Sequence, residues 1–330
     1  MRSPHRARLA VSLLACCALV ATPRVVRAAP LDSVTINGAA FVLVPAGPFT
    51  MGSPVEQCAR AQEQAGALGP ALEAARQYCA TWESPPHQVT LQTFYIMRTE
   101  VTIAHYDRFV EATGARRPES RRPAGPGGGR RDESATGIPR SDERRGPNEP
   151  VTDVSWNEAR VFCAWLGRGS AFTTRLPTEA EWEKAAHGSD GRAYSWGSAF
   201  DGRRLNFADT RSSESWRDAS VDDGFADTAP VGSFPQGTSP YGAVDMAGNV
   251  SEWVLSLLRP YPYAPGDGRE NLSPTTCSEE RLSGCRVYPG GSYRHTSART
   301  RATSRVIATY LSDVFVDIGL RCVAQPSASR

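Results

Sequence analysis

Val244-Asp245-Met246-Ala247-Gly248-Asn249-Val250-Ser251-Glu252-Trp253 sets two carboxylates, Asp245 and Glu252, on either side of a Gly-Asn turn. Hard cations such as Ca²⁺ collect several oxygens from carboxylates, amides and carbonyls, and a turn of this kind lets carbonyls face inward beside the acids. The stretch therefore reads as an ion cage. The competing reading is a surface turn closed by the Asn249 side chain, with Trp253 opening the next core element. The surrounding sequence decides between them.

Upstream, residues 1–28 have the pattern of an export signal. Arg2, Arg6 and Arg8 precede an apolar run from Leu9 to Ala21, and Val26-Arg27-Ala28 offers a small-residue cleavage site. The run is too short for a transmembrane helix, and no later segment is long enough. Acylation of Cys16 within Leu14-Ala15-Cys16, giving a lipoprotein, is the alternative; a periplasmic or secreted protein is the expectation. Residues 1–28 hold five Arg and no acid, which takes the formal charge of +2 down to −3 for the remainder. That balance gives no support to nucleic-acid binding. Residues 29–330 show no repeat and no linker between two core-forming runs, so a single domain is expected.

Cys58, Cys79, Cys163, Cys277, Cys285 and Cys322 remain after the signal, and an even count in an exported chain reads as disulfides. Spacing suggests the local pairs Cys58–Cys79 and Cys277–Cys285, which leaves Cys163 and Cys322 for a long-range bridge. No CxxC occurs, which argues against a zinc ribbon or a thioredoxin-type site.

Residues 40–52 read as a strand, a Pro/Gly turn and a second strand. Cys58 to Cys79 brackets a helical stretch interrupted by Gly69-Pro70. Residues 87–101 alternate as a strand does, and Thr102 caps a helix running to about Thr113. Residues 115–147 hold nine Arg, five acids and a Gly-Pro-Gly-Gly-Gly run, and are expected to be a disordered insertion. Ser155 and Glu158 form a capping box, with Trp156, Ala159, Phe162, Cys163 and Leu166 on one face. Thr178 and Glu181 form another, which gives Glu179, Glu181 and Glu183 a structural role. From Ser195 to residue 290 the chain is rich in Gly, Pro, Asp and Ser, and a stretch that irregular needs staples or ions to hold it.

The series of motifs resembles one family over about residues 40–324: the formylglycine-generating enzymes, or sulfatase-modifying factors. Their superfamily also takes in the C-terminal domains of ergothioneine-pathway sulfoxide synthases and a periplasmic pyoverdine-maturation protein. The stretches that carry the resemblance begin with Val44-Pro45-Ala46-Gly47, Met51-Gly52-Ser53 and Glu100-Val101-Thr102. Next come Pro150-Val151-Thr152-Asp153-Val154-Ser155-Trp156, Arg175-Leu176-Pro177-Thr178-Glu179-Ala180-Glu181-Trp182-Glu183 and Tyr194-Ser195-Trp196-Gly197. Ala229-Pro230-Val231-Gly232, Gly248-Asn249-Val250-Ser251-Glu252-Trp253, Gly290-Gly291-Ser292-Tyr293 and Gly319-Leu320-Arg321-Cys322 complete the series.

The resemblance implies an α+β sulfatase-modifying-factor fold, C-type-lectin-like, with little regular secondary structure and structural Ca²⁺. It places one calcium on Asn206, Phe207, Asp223 and Phe225, and a second on Asp245, Gly248, Val250 and Glu252. It also implies the Cys163–Cys322 disulfide. Formylglycine-generating enzymes oxidise a cysteine of a client sulfatase with a copper-binding cysteine pair just after Gly-Gly-Ser-Tyr. This chain has no cysteine between Arg286 and Arg321, so neither copper nor iron is supported by the sequence.

Ser292, His295 and Arg301 are the catalytic candidates left at that place. No Ser-His-Asp order suggests a hydrolase. Arg294, Arg299, Arg301, Arg305 and Arg321 either line a groove for an acidic ligand or, for the last three, brace the core. The expected function is binding, with oxidative modification, of a peptide, protein or siderophore-like substrate. A non-catalytic binding module and a formylglycine generator with an altered site are the alternatives. The oligomeric state is not legible.

Overall fold

The computed structural model describes residues 32–118, 145–273, 284–306 and 314–327. The signal-like segment and most of the Arg/Gly-rich insertion lie outside the described residues. The central sheet grows from Ala39–Val44 (β2), an apolar run buried on both faces because each face has its own cover. On one side Phe41 and Met97 pack with two helices, Ile103–Thr113 (α3) and Trp156–Leu166 (α4). On the other, Val42, Val44, Phe94 and Ile96 pack on Trp182 of a helix over Glu179–His187 (α5). Two shorter helices, Val55–Gln64 (α1) and Pro70–Tyr78 (α2), precede these in the chain.

The sheet has five antiparallel strands in the order β1-β2-β5-β9-β6: Ser33–Ile36, Ala39–Val44, Phe94–Met97, Val323–Pro326 and Phe172–Arg175. Gly47–Met51 (β3) and His87–Leu91 (β4) form a separate antiparallel pair. Ser251–Glu252 (β7) and Ile318–Gly319 (β8) form a two-residue parallel pair. The alternating run expected over 87–101 is thus two strands in two sheets, broken at Gln92-Thr93. β1 and β6 carried no pattern strong enough to be expected.

The helix starts follow their caps. Thr102, Ser155 and Thr178 each accept the N–H three residues on, and His105, Glu158 and Glu181 return the bond. The inner face of α4 is the expected set of Trp156, Ala159, Phe162, Cys163 and Leu166. Truncating Phe162 to Ala at such a site costs about 3–5 kcal/mol. Helix α5 is buried on all sides, and its acids have partners: Glu179 with Arg305, Glu181 with Arg175, and Glu183 with the Gly52 N–H.

Disulfides join Cys58 to Cys79 and Cys163 to Cys322, the latter tying α4 to the start of β9 across 159 residues of sequence. Cys285 is also disulfide-bonded; Cys277, the partner expected for it, lies outside the described residues. The insertion expected over 115–147 is narrower at both ends. Arg116 pairs with Glu158, Arg117 with Asp107 and Arg145 with Glu149, so these charges are taken up by the fold.

Among the described residues between α5 and β8 the chain is almost all loop, interrupted by short 3₁₀ turns at Pro235–Gly237 and Ser297–Thr300 and by β7. No helix among the described residues is long and apolar enough to cross a membrane.

Candidate functional site

The site is built on the two glycines before Ser292. Gly290 and Gly291 both have positive φ, at +98° and +67°. A Cβ on Gly290 would stand 3.1 Å from the Trp182 ring, and one on Gly291 would stand 2.7 Å from the Arg299 carbonyl oxygen. Only glycine lets the chain pass between α5 and the 297–300 turn. Ser292 is delivered, fully buried, at the end of that passage.

Ser292 Oγ lies 2.8 Å from Asp317 Oδ2 and 2.9 Å from His295 Nδ1. The Ser292 backbone N–H also points at His295 Nδ1, at 3.1 Å. An amide can only donate, so Nδ1 is the acceptor and the neutral ring carries its proton on Nε2. The Ser292 hydroxyl is then left to donate to Asp317. Burial holds the His295 pKa below its ordinary value. Asp317 opposes that shift, and the charges of Arg299 and Arg294 add to it. The half-buried imidazole is therefore a neutral donor at physiological pH. A hydrolytic triad needs the histidine between serine and acid; here serine lies between the other two, which excludes that chemistry.

One wall is the loop from Ala208 to Val221. Ala208 N–H donates to the His295 carbonyl at 3.0 Å, Glu214 pairs with Arg294 at 2.8 Å, and the Trp216 indole N–H donates to the Arg294 carbonyl at 3.0 Å. Buried Asp209 pins the loop by accepting the N–H groups of Arg211 and Asp223. Trp216 is 50% exposed.

The stapled excursion of α1 and α2 reaches the segment after Ser292 through Tyr78. Tyr78 donates to the Arg305 carbonyl, and its ring lies 5.0 Å under the Arg299 guanidinium. A shallow depression of about 480 Å³ opens at Trp196, Phe200, Asp201, Arg203 and Arg204. Its neighbour Tyr194 stacks on Trp196 and donates to the Ser297 carbonyl at 3.3 Å.

Of the catalytic candidates, Ser292 and His295 are brought together and Arg301 is not. Arg301 is fully buried and takes both oxygens of Glu83 at 2.7 and 3.0 Å, which makes it a brace. Arg305 and Arg321 do the same with Glu179 and Glu252. Asp317, Glu214 and Trp216 were missed by sequence reasoning. They lie in loops without periodicity, and nothing but proximity to Ser292 marks them.

The two expected calcium ligand sets differ in how they fit. In the first, Asn206 Oδ1 is buried with no hydrogen-bond partner, although its Nδ2 donates to Asp227 and Asn249. Asp223 sits alongside, accepting the Phe207 and Phe225 N–H groups, and burial pushes its carboxyl up to about 7. Among the described residues no donor reaches the Phe207 or Phe225 carbonyl. An orphaned amide oxygen, a desolvated acid and two free carbonyls make a donor set suited to a hard cation.

In the second set, Asp245 accepts the Gly232 N–H and burial pushes it up to about 6. Glu252, however, spends its acceptor capacity on Arg321 and on the Trp182 indole at 2.7 Å. A cation there would have to take Glu252 from Arg321, so the second set does not fit as drawn. Among the described residues no group of three or more His, Cys, Asp or Glu is arranged to hold a metal by side chains alone. Every described cysteine is disulfide-bonded, which leaves no free thiolate among them for copper(I).

Residues 27–326 match the family described as "Sulfatase-modifying factor enzyme 1-like domain". The chain is 36% identical over 249 residues to the formylglycine-generating enzyme of Streptomyces coelicolor, covering 66% of this chain and 72% of that protein. It is 32% identical over 269 residues to the hercynine oxygenase of Mycolicibacterium smegmatis, covering 76% of this chain and 54% of that one. Among solved structures, PvdO from Pseudomonas aeruginosa superposes with a TM-score of 0.63 at 25% identity, over 90% of this chain and 99% of that one.

Proposed function

The chain belongs to the sulfatase-modifying factor enzyme 1-like family, and from that premise we propose an exported, calcium-stabilised protein that binds and oxidatively modifies a peptide or siderophore-like substrate at Ser292, His295 and Asp317. The observation that carries this reading is buried Ser292, whose amide donates to His295 Nδ1 and whose hydroxyl donates to Asp317, at the place the family uses for its chemistry. Burying the Ser292 hydroxyl beside a half-buried histidine and a half-buried acid costs desolvation that no sheet or core contact here requires.

The Ser292 amide, donating to Nδ1, holds the imidazole in the Nε2–H tautomer, while Asp317 accepts from the Ser292 hydroxyl and orients that side chain. The Nε2 proton is offered to an oxygen of the substrate. Because burial disfavours the imidazolium, His295 polarises rather than protonates its partner. Dioxygen is the oxidant class that the name of one relative, hercynine oxygenase, suggests. Asn206, Asp223 and the Phe207 and Phe225 carbonyls would hold the calcium ion, whose chemistry is to fix the shape of the loops. Disulfides and the signal-like N-terminus support export.

A second reading, a binding module without chemistry, is favoured by one observation: the segment after Gly290-Gly291-Ser292-Tyr293 has no cysteine, and the described cysteines are all bonded. Elemental analysis of the purified protein, with oxygen uptake in the presence of candidate peptides, separates the two. Oxygen consumption lost in His295→Ala supports the enzyme; calcium alone with no turnover supports the module.

A further inference from the structure

Five arginines cluster in sequence around the site, and the structure sorts them. Arg301, Arg305 and Arg321 are buried and each is closed on a glutamate, while Arg294 is closed on Glu214. Arg299 is different. It is half-buried, and no carboxylate among the described residues lies within ion-pair distance of it. Among the described residues only one of its five N–H donors has a partner, the Tyr78 hydroxyl at 3.4 Å, a long bond.

Its placement is nonetheless fixed. The Arg299 carbonyl rests against Gly291, which tolerates it only for want of a Cβ, and the guanidinium carbon stands 5.0 Å from the centre of the Tyr78 ring. Tyr78 is held in turn by its bond to the Arg305 carbonyl, on the stapled excursion. The charge is close enough to His295 to be felt there. A guanidinium held over a ring, with one long bond from Nη1, keeps its other donors for a ligand, and a guanidinium fork matches a carboxylate bidentately.

We infer that Arg299 receives a carboxylate of the substrate and seats it beside His295, so that the ligand is an acidic peptide or an acid-bearing small molecule. This rests on the reading of Ser292, His295 and Asp317 as the functional site. With the other four guanidiniums already neutralised, Arg299 is the cation in this cluster whose partner must come from outside the described fold. Its cation–π contact with Tyr78 keeps the arginine in place before the ligand arrives, which lowers the ordering cost of binding.

The test is calorimetric titration of the purified protein with N-acetylated, C-amidated Ala-Glu-Ala, its Ala-Gln-Ala counterpart, and free glutarate. The expected result is about tenfold or stronger preference for the glutamate peptide over the glutamine peptide, since a charge-assisted fork is lost in the latter. Arg299→Gln should erase the preference and Arg299→Lys should leave a smaller, more salt-sensitive one. Tyr78→Phe, which keeps the ring under the guanidinium, should leave it nearly intact.

Glutarate binding with the same Arg299 dependence supports the inference and identifies a free acid as the ligand source. Equal affinities for the two peptides, a preference that survives in Arg299→Gln, or no binding of any of the three overturns it. A His295→Ala variant separates this from the underlying reading. Arg299-dependent binding indifferent to His295 sinks the functional site but leaves anion recognition. Binding that needs His295 and ignores Arg299 does the reverse.

Discussion

Replacing Glu252 by Gln distinguishes a brace from a metal ligand. Glu252 and Arg321 are both fully buried, and the carboxylate accepts Arg321 Nε and Nη2 at 2.7–2.9 Å. The amide keeps the volume but loses the charge, and it turns a donor group toward the guanidinium or the Trp182 indole. Removing one partner of a buried pair costs about 3–5 kcal/mol, mostly the penalty of the charge left behind. Two features place this site at the low end. Arg321 still donates to the carbonyls of Met97, Val244 and Asp245 at 3.0–3.2 Å. Glu100 also lies close by, its pKa raised well above the ordinary value by burial and then by the charges of Asp245 and Glu252. Without the Glu252 charge, Glu100 loses a repulsion and ionises more readily beside Arg321.

The expected loss is therefore about 3 kcal/mol, a shift of about 1 M in the urea midpoint for an m value of about 3 kcal/mol/M. Unfolding followed by tryptophan fluorescence, in calcium and again in EGTA, should give the same shift in both. Glu252→Gln combined with Arg321→Met should recover part of the loss, because the stranded charge goes too. A shift below about 1 kcal/mol refutes the brace. A shift seen only in calcium would make Glu252 a ligand and restore the second ion set.

Calcium removal should lower the unfolding temperature of the native protein, because an ion at a hundredfold excess over its Kd stabilises by about 2.7 kcal/mol. Asn206→Ala and Asp223→Asn should start lower and ignore EGTA in a fluorimetric melt; a melt of the native protein unchanged by EGTA removes the site. Asp245 and Glu100 have folded-state pKa values above their ordinary ones, Asp245 at about 6. Their contribution is full below the unfolded pKa and is lost as pH rises through the folded one, so stability should fall from about pH 4 to about pH 6 as Asp245 ionises, with Glu100 extending the fall upward. Glu100→Gln should flatten that slope in urea titrations, and an unchanged slope would contradict the assignment. Opening the Cys163–Cys322 bridge with Cys163→Ser frees a closed loop of 159 residues; the chain-entropy estimate is about 5 kcal/mol by urea unfolding, and a cost under about 2 would point to a denatured state already compact there.

The regular part of the fold was legible because its signals are local. Thr102, Ser155 and Thr178 announce helices through caps that act within three residues, and the α4 stripe at 3.6 periodicity needs no knowledge of its neighbours. Disulfide pairing was legible from spacing at Cys58 and Cys79. The site was half legible. Ser292 and His295 sit three apart on one turn, within reach of a motif, but Asp317 arrives from 25 residues further on and Glu214 from 78 residues before Ser292. Such partners are chosen by tertiary placement of irregular chain, for which no period exists. Arg301 stayed open between site residue and brace for the same reason: its carboxylate, Glu83, is 218 residues away.

The buried arginine pairs explain how a loop-rich half holds a site at all. Arg301 closes on Glu83, Arg305 on Glu179 and Arg321 on Glu252, so two grips bracket one end of the 292–305 segment and a third secures the strand that brings Asp317 in. Such pairs add little net stability, because desolvation offsets much of the attraction. Their bidentate geometry fixes direction instead, and direction is what a segment without ladder hydrogen bonds lacks. At the other end Arg294 is gripped by Glu214 from a loop whose far end carries Asp223. An ion at Asn206 and Asp223 would therefore set the wall of the site without touching it. Between these grips the turn from His295 to Thr300 is held at both ends, and its one guanidinium, Arg299, is left over the Tyr78 ring with no carboxylate partner among the described residues.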